Sequence, residues 1–314
     1  MEKEKLQKEI RDLKEKNDVT ILAHYYQTLD IQEIADYLGD SLGLSRTAKE
    51  KANTKYVIFS GVLFMAETAS ILNQDKHVLI PNKYACCPLA DFLTADKVIA
   101  FKRKYPGLPV VTYVNSTAAV KAVSDICCTS SNSINIVNKI SKEFGVDSVL
   151  FGPDSNLGDY VSQNTDVNVI KMPKNGHCVT HSRLSLKDLK STKKENPDSV
   201  ILVHPECVRD VREFADYVGS TAGMYKYVKN SKDSETKFII GTEKGLLDRL
   251  SVDFPDKELI LAKKSLICKN MKKNSLERIY DMLYNLDDEE YEVKVPSDIA
   301  EKALLPIEKM LKYS

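Results

Sequence analysis

The chain has 314 residues, with 45 Lys and Arg against 45 Asp and Glu, so its formal net charge is zero. That balance argues against a dedicated nucleic-acid or membrane surface, and no apolar run approaches the ~20 residues that a bilayer span needs. The length suits two or three domains, and seven cysteines behind a charged, signal-free start read as reduced thiols or metal ligands in the cytoplasm.

In chain order, residues 2–16 form a Lys/Glu-rich segment with Leu6, Ile10 and Leu13 on one face, which predicts a helix packed on the unit that follows. From Val19 to Thr47 an apolar run ends in His24-Tyr-Tyr26, a helical stretch leads to Asp36, and Gly39-Asp40-Ser41 opens another helix. Tyr56 to Gly61 is a buried-strand run, and a further helix and strand lead to Cys87. The frame then returns. Val110 to Val137 carries Tyr113, Asn115, Asp125 and Thr129-Ser130-Ser131, then Ser148 to Gly152 leads on to Cys178. Val200 to Tyr225 carries His204, Glu206, Asp216 and Gly219-Ser220-Thr221, then Lys237 to Gly241 leads on to Cys268. The period is about 90 residues, and seven residues beyond each cysteine stands Thr94, Ser185 or Ser275, placed as a helix N-cap.

With Pro106-Gly107 and Asn196-Pro197-Asp198 as punctuation, the expected domains are 1–106 (with the N-terminal helix), 107–197 and 198–290. Residues 291–314 are expected to add a strand and a helix, interrupted at Pro306, that fold back on the body. Four strands alternating with helices in each unit predict an α/β fold of three pseudosymmetric α/β/α sandwiches with short parallel sheets around a central site.

The repeat selects Cys87, Cys178 and Cys268 by giving them one structural address, while Cys127, Cys128 and Cys207 have no cysteine counterparts and read as packing. Three thiolates suit a 4Fe–4S cluster with one iron free of protein ligands. Zinc, with His181 as a fourth ligand, is the alternative. His24, Tyr113 and His204 share one strand-end position, and Tyr26, Asn115 and Glu206 the next, together an acid–base inventory. Ser41, Ser130, Ser220 and Thr221 precede helices, where one residue of each triplet caps the helix and free N–H groups suit phosphate or carboxylates. A non-catalytic binder of a phosphorylated metabolite is the reading from another class.

These residues closely resemble the quinolinate synthase family over nearly the whole length. The resemblance lies in His24-Tyr-Tyr26, Gly39-Asp-Ser-Leu-Gly-Leu-Ser-Arg46, Gly61-Val-Leu-Phe-Met-Ala-Glu67, Tyr113-Val-Asn-Ser116 and Thr129-Ser-Ser-Asn132. Cys178-Val-Thr-His181, His204-Pro-Glu-Cys207, Gly219-Ser-Thr221, Gly241-Thr-Glu243 and Cys268-Lys-Asn-Met271 complete it. It implies three domains around a 4Fe–4S cluster, in de novo NAD biosynthesis. The implied reaction condenses iminoaspartate with dihydroxyacetone phosphate to quinolinate, with loss of phosphate and water and the open iron as Lewis acid. A transient L-aspartate oxidase or dehydrogenase would supply the imine.

By the same resemblance Cys87, Cys178 and Cys268 hold the cluster. His24 and Tyr26 hold the triose phosphate and move its protons, and Tyr113 and Asn115 orient the intermediate. Glu206 and His204 act in acid–base steps, His181 lies at or beside the substrate, and Ser41, Ser130, Ser220 and Thr221 bind carboxylates or phosphate. Where many members have glycine before the first ligand cysteine this chain has Cys86, but the repeat spacing favours Cys87.

Overall fold

The computed structural model describes residues 3–232 and 234–314. Helix α1 (Lys3–Lys16) leads into a first unit of β1 (Val19–His24), α2 (Leu29–Gln32), β2 (Tyr37–Gly39), α3 (Ser41–Glu50), β3 (Tyr56–Ser60), α4 (Leu63–Leu72), β4 (His77–Leu79) and α5 (Ala95–Lys104). The second has β5 (Val110–Tyr113), α6 (Ala118–Ala122), β6 (Ile126–Cys128), α7 (Ser133–Phe144), β7 (Ser148–Gly152), α8 (Ser155–Gln163), β8 (Asn168–Lys171) and α9 (Leu186–Glu195). The third has β9 (Val200–Val203), α10 (Arg209–Phe214), β10 (Tyr217–Val218), α11 (Thr221–Lys229), β11 (Lys237–Gly241), α12 (Lys244–Asp253), β12 (Glu258–Leu261) and α13 (Leu276–Tyr284). Helix α14 (Ser297–Tyr313) ends the chain. No helix of the described residues is long and apolar enough to cross a membrane.

Each unit builds one four-stranded parallel sheet, with its first strand between its second and third: β2-β1-β3-β4, β6-β5-β7-β8 and β10-β9-β11-β12. The α/β class and the three helix-flanked sheets match the sequence expectation. β1 and β3 are buried along their whole length. Helices on both faces are the reason these strands are continuous apolar runs rather than alternations. The aligned aspartates do one job three times. Asp36, Asp125 and Asp216 each accept from the N–H of Ile21, Val110 or Ile201 at 2.8 Å, pinning the start of each second strand to the first. Thr94, Ser185 and Ser275 cap α5, α9 and α13, as their spacing predicts.

The repeat in sequence and the unit of packing are offset by one helix. Leu93, Val98 and Phe101, in and before α5, pack on Val110 and Leu150 of the second sheet. Leu184 and Leu189 at α9 pack on Ile201, Val203 and Ile239 of the third. Leu276, Ile279 and Leu283 of α13 return to Ile21, Ile58 and Leu79 of the first, beside Leu6 and Ile10 of α1. The last helix of every unit therefore covers the next unit's sheet, and the ring closes.

The C-terminal segment departs from the expected strand and broken helix. Residues 291–296 contribute only an isolated antiparallel bridge, Leu79 to Glu292, and Pro306 sits inside one continuous helix. Proline leaves the carbonyl four residues back without its partner. Here that carbonyl belongs to Lys302, an exposed position, while Ala300, Ala303, Ile307 and Met310 keep the helix docked between the first and second units.

Candidate active site

The first strands of the three sheets end at one cavity, a concave site where several polar groups converge. His24 ends β1, Tyr113 ends β5 and His204 follows β9, and all three line it. In both histidine loops the backbone turns back on the ring: Tyr26 N–H donates to His24 Nδ1 at 3.0 Å and Glu206 N–H to His204 Nδ1 at 3.3 Å. With Nδ1 accepting, the ring proton sits on Nε2. Burial, helped by the Lys272 charge at His24, pushes both imidazoles down to about 3. At neutral pH they are uncharged Nε2–H donors.

A hydrogen-bonded chain crosses all three units. Thr221 Oγ1 donates to the Tyr26 hydroxyl at 2.9 Å, and Tyr26 meets Thr242 Oγ1 at 2.6 Å. Thr242 meets His181 Nε2 at 2.8 Å, and His181 Nδ1 reaches Glu206 Oε2 at 2.7 Å. Tyr113 OH donates to the other Glu206 oxygen at 2.6 Å. The carboxylate can only accept, so Nδ1 of His181 donates to it, and when that is the ring's one proton Nε2 accepts from Thr242. The hydroxyl protons thus point one way, from Thr221 toward Glu206. Burial alone would raise Glu206, but His204, His181 and Tyr113 together hold its carboxyl well below the usual range. Burial, and then the Glu206 charge, keeps the phenols of Tyr26 and Tyr113 far above theirs, so both stay protonated donors.

Cys87, Cys178 and Cys268 line the same cavity, one from each unit. Their loops are set by the helix that follows the third strand. The first N–H of α4, α8 and α12 donates to the carbonyl two residues before each cysteine (Ala85, Gly176, Leu266). The buried N-cap acids Asp154 and Glu243 also accept from the N–H of Cys178 and Cys268, both at 3.1 Å. Val62 takes that place in the first unit. Burial raises all three thiols, with the Cys268 thiol adding to the effect at Cys87, and Glu206 and then Cys87 adding at Cys178. A cationic metal offsets such a penalty and releases the protons. Cys86 is exposed and turns toward the Lys83 carbonyl, and Cys127, Cys128 and Cys207 are wholly buried in apolar clusters.

The geometry bears on which metal fits. Tetrahedral zinc with Zn–S bonds of about 2.3 Å needs its sulfurs about 3.8 Å apart. Among the described residues, the metal-type donors lying within 4.8 Å of one another are Cys178, His181 and Glu206, not the three sulfurs. Those three donors are already hydrogen-bonded together, His181 Nδ1 lying 3.2 Å from the Cys178 sulfur as well as 2.7 Å from Glu206. Three thiols sharing a cavity at wider spacing fit a multinuclear cluster better than one zinc ion.

Ser41, Ser130, Thr221 and Asn115 also line the cavity, and Asn115 Oδ1 is buried without a partner, an acceptor left for a ligand. Ser220 does not line it: its hydroxyl accepts from Gly223 N–H as the cap of α11 and donates to Asp40. The Thr129-Ser130-Ser131 triplet, by contrast, holds no cap. α7 starts after Asn132, whose amide oxygen is taken by Thr129 N–H at 2.7 Å, so Ser130 stands in a turn ahead of the helix. Thr242, the link between Tyr26 and His181, was not among the expected site residues. Its signal was its place directly after a strand-ending glycine and before an acidic cap.

A family model for the quinolinate synthetase A protein matches residues 8–312. The chain belongs to that family. It is 47% identical over 303 residues to a quinolinate synthase of Clostridium kluyveri, covering 96% of each chain. The quinolinate synthase of Pyrococcus furiosus is 43% identical over 315 residues, all of both chains. That of Thermotoga maritima is 43% identical over 302 residues, 96% of this chain and 97% of the relative. Family membership and cavity thus rest on separate observations, one on the matched sequence and the other on geometry.

Proposed function

We propose that this chain is a quinolinate synthase of NAD biosynthesis, a transferase that condenses iminoaspartate with dihydroxyacetone phosphate and releases phosphate and water. The observation that carries the reading is the hydrogen-bonded chain from Thr221 through Tyr26, Thr242 and His181 to Glu206, whose members other than Thr242 line the cavity that the three thiols share. Cys87, Cys178 and Cys268 would hold a 4Fe–4S cluster, which when bound supplies a Lewis-acidic iron with no protein ligand. The domains of the reading are 1–106, 107–197 and 198–290, with 291–314 packed back on them.

The protein's own groups divide the remaining work. Neutral His24 and His204 present Nε2–H to substrate oxygens and polarise a carbonyl without donating a full charge. Glu206 stays ionised and serves the acid–base steps through the donors that His181 and Tyr113 aim at it, and Tyr26 and Tyr113 return protons to departing hydroxyl groups. Asn115 Oδ1 accepts from an N–H or O–H of the substrate. Ser41, Ser130 and Thr221 hold the carboxylates and phosphate.

The test is anaerobic purification with iron, sulfide and zinc counted, followed by quinolinate formation from dihydroxyacetone phosphate and freshly generated iminoaspartate. Added L-aspartate oxidase or dehydrogenase supplies the imine, as a transient cytoplasmic partner would. Iron, sulfide and quinolinate together support the proposal. A zinc-loaded protein without sulfide that still turned over would replace the cluster with a Cys178–His181–Glu206 ion, and a metal-free protein that binds dihydroxyacetone phosphate without product would make it a binding module.

A further inference from the structure

Three buried nitrogen-bearing side chains play no part in the chemistry above. Gln32, Lys121 and Arg212 are 4%, 0% and 4% exposed, and each stands eight residues after its strand-end residue, His24, Tyr113 or His204. Lysine and arginine are almost never buried this far unless paired. Arg212 Nη2 pairs with Asp159 Oδ2 at 2.6 Å and donates to Gln163 Oε1 at 3.0 Å, which leaves Nη1 for other work, whereas Lys121 meets only neutral oxygens.

Their partners repeat. Gln32 Nε2 donates to the carbonyls of Tyr25 (2.9 Å), Gln27 (3.0 Å) and Gly245 (3.1 Å). Lys121 Nζ donates to the carbonyls of Ser116 (2.8 Å) and Phe64 (3.3 Å) and to Thr68 Oγ1 (3.0 Å), three acceptors for the three hydrogens of an ammonium. Arg212 Nη1 donates to the carbonyls of Cys207 (2.6 Å), Asn156 (3.1 Å) and Pro205 (3.4 Å). In every unit one acceptor lies three residues past the strand-end residue: Gln27, Ser116, Cys207. Another is the second residue of the helix after a neighbour's third strand: Gly245 of α12, Phe64 of α4, Asn156 of α8. The contacts run from first unit to third, third to second and second to first, a closed ring.

The approach is tight at one of these joints. A Cβ on Gly245 would stand 2.5 Å from the Tyr25 carbonyl oxygen and 2.7 Å from that of Gln27. Each contact ties a loop carrying His24 and Tyr26, Tyr113 and Asn115, or His204 and Glu206 to a helix start that holds a neighbour's cysteine loop.

We propose that Gln32, Lys121 and Arg212 are positioning residues, a ring of three buried clasps that sets the three strand-end loops against the three cysteine loops. An amide, an ammonium and a guanidinium do the same work because the ring asks only for N–H donors aimed at two backbone carbonyls. Its catalytic consequence rests on the quinolinate synthase reading; the ring itself does not.

The experiment uses the full-length, iron-loaded protein. Gln32→Leu removes the donors at similar volume, and Gln32→Lys inserts the donor that the second unit uses. In Gln32→Leu, amide hydrogen exchange across residues 25–28 and 245–247 should quicken by about tenfold or more while the outer helices keep wild-type rates. Iron content should hold, kcat should fall by about tenfold or more well below the melting temperature, and Gln32→Lys should recover most of it. Wild-type exchange in Gln32→Leu overturns the clasp. Faster exchange with unchanged kcat overturns the positioning role. If wild type makes no quinolinate the functional reading falls, and exchange still decides the clasp. Lys121→Met, read at residues 114–117, gives the same decision if Gln32→Leu does not fold.

Discussion

Thr242→Val tests the proton path at a residue that touches none of the cysteines by hydrogen bond. Valine keeps the branched shape and removes the hydroxyl. Two bonds go, the 2.6 Å contact to Tyr26 and the 2.8 Å contact to His181 Nε2. Tyr26 keeps Thr221, but His181 Nε2 is left buried with nothing to meet. An unmet buried polar group costs about 1–3 kcal/mol, so the melting temperature should drop by a few degrees, at about 1.5 °C per kcal/mol for a chain of this length. Activity should fall further than stability. Positioned acid–base groups contribute about 10²–10⁴-fold, so a broken chain should lower kcat by about 10²-fold while the KM for dihydroxyacetone phosphate stays within about threefold. Thr242→Ser restores the hydroxyl and should restore the rate. The assay is anaerobic quinolinate formation beside a thermal melt, on variants matched for iron. A valine variant that melts early yet keeps kcat within about twofold of wild type would refute the path.

Cys87→Ala, Cys178→Ala and Cys268→Ala should each lose most iron and sulfide, whereas Cys86→Ala, with its thiol turned outward, should keep both; a reversal between Cys86 and Cys87, seen in the metal counts, would move the ligand. Ser220→Ala should lower stability by about 1 kcal/mol in urea melts with kcat/KM near wild type, while Thr221→Val should show the opposite balance. The low pKa values of His24 and His204 predict acid lability of the metal-free protein. The folded rings refuse a proton down to about pH 3, which the unfolded rings accept from 6.5. Stability is therefore full above pH 6.5 and falls below it, by up to about 1.4 kcal/mol per pH unit for each ring. His204→Asn should flatten the urea-derived slope between pH 7 and 5 by about one ring's share, and an unchanged slope would show that its imidazole takes up protons in the folded state.

The strands and the repeat were legible because they are written locally. An apolar run buried on both faces and a capping hydroxyl seven residues past a cysteine need no knowledge of the rest of the chain. The aspartates at 36, 125 and 216 aligned for the same reason, since each serves only its own sheet. The offset of α5, α9 and α13 was not legible, because an amphipathic helix carries the same pattern whichever sheet it covers. Ser220 and Thr221 are neighbours on a helix start, and only the direction of each side chain separates a cap from a cavity wall. Thr242 escaped because its partners, Tyr26 and His181, lie far away in sequence and in other units. Pro306 misled because helix breaking was weighed without the exposed side on which its missing bond falls.

The helix offset makes this polypeptide the single-chain equivalent of a domain-swapped trimer, each protomer lending its last helix to the next. Such a chain is slow to become self-sufficient. As it leaves the ribosome, the face of the first sheet formed by Ile21, Ile58 and Leu79 has α1 for cover but must wait for α13, which begins 197 residues after Leu79. Until then an apolar surface stays open, and the long-range closure that ends the wait favours slow folding with aggregation as its competitor. The same delay orders assembly of the centre. Cys268 lies just ahead of α13, so the third thiol and the helix that shuts the ring emerge together, and a metal held by all three thiols would be gathered only by a nearly finished chain.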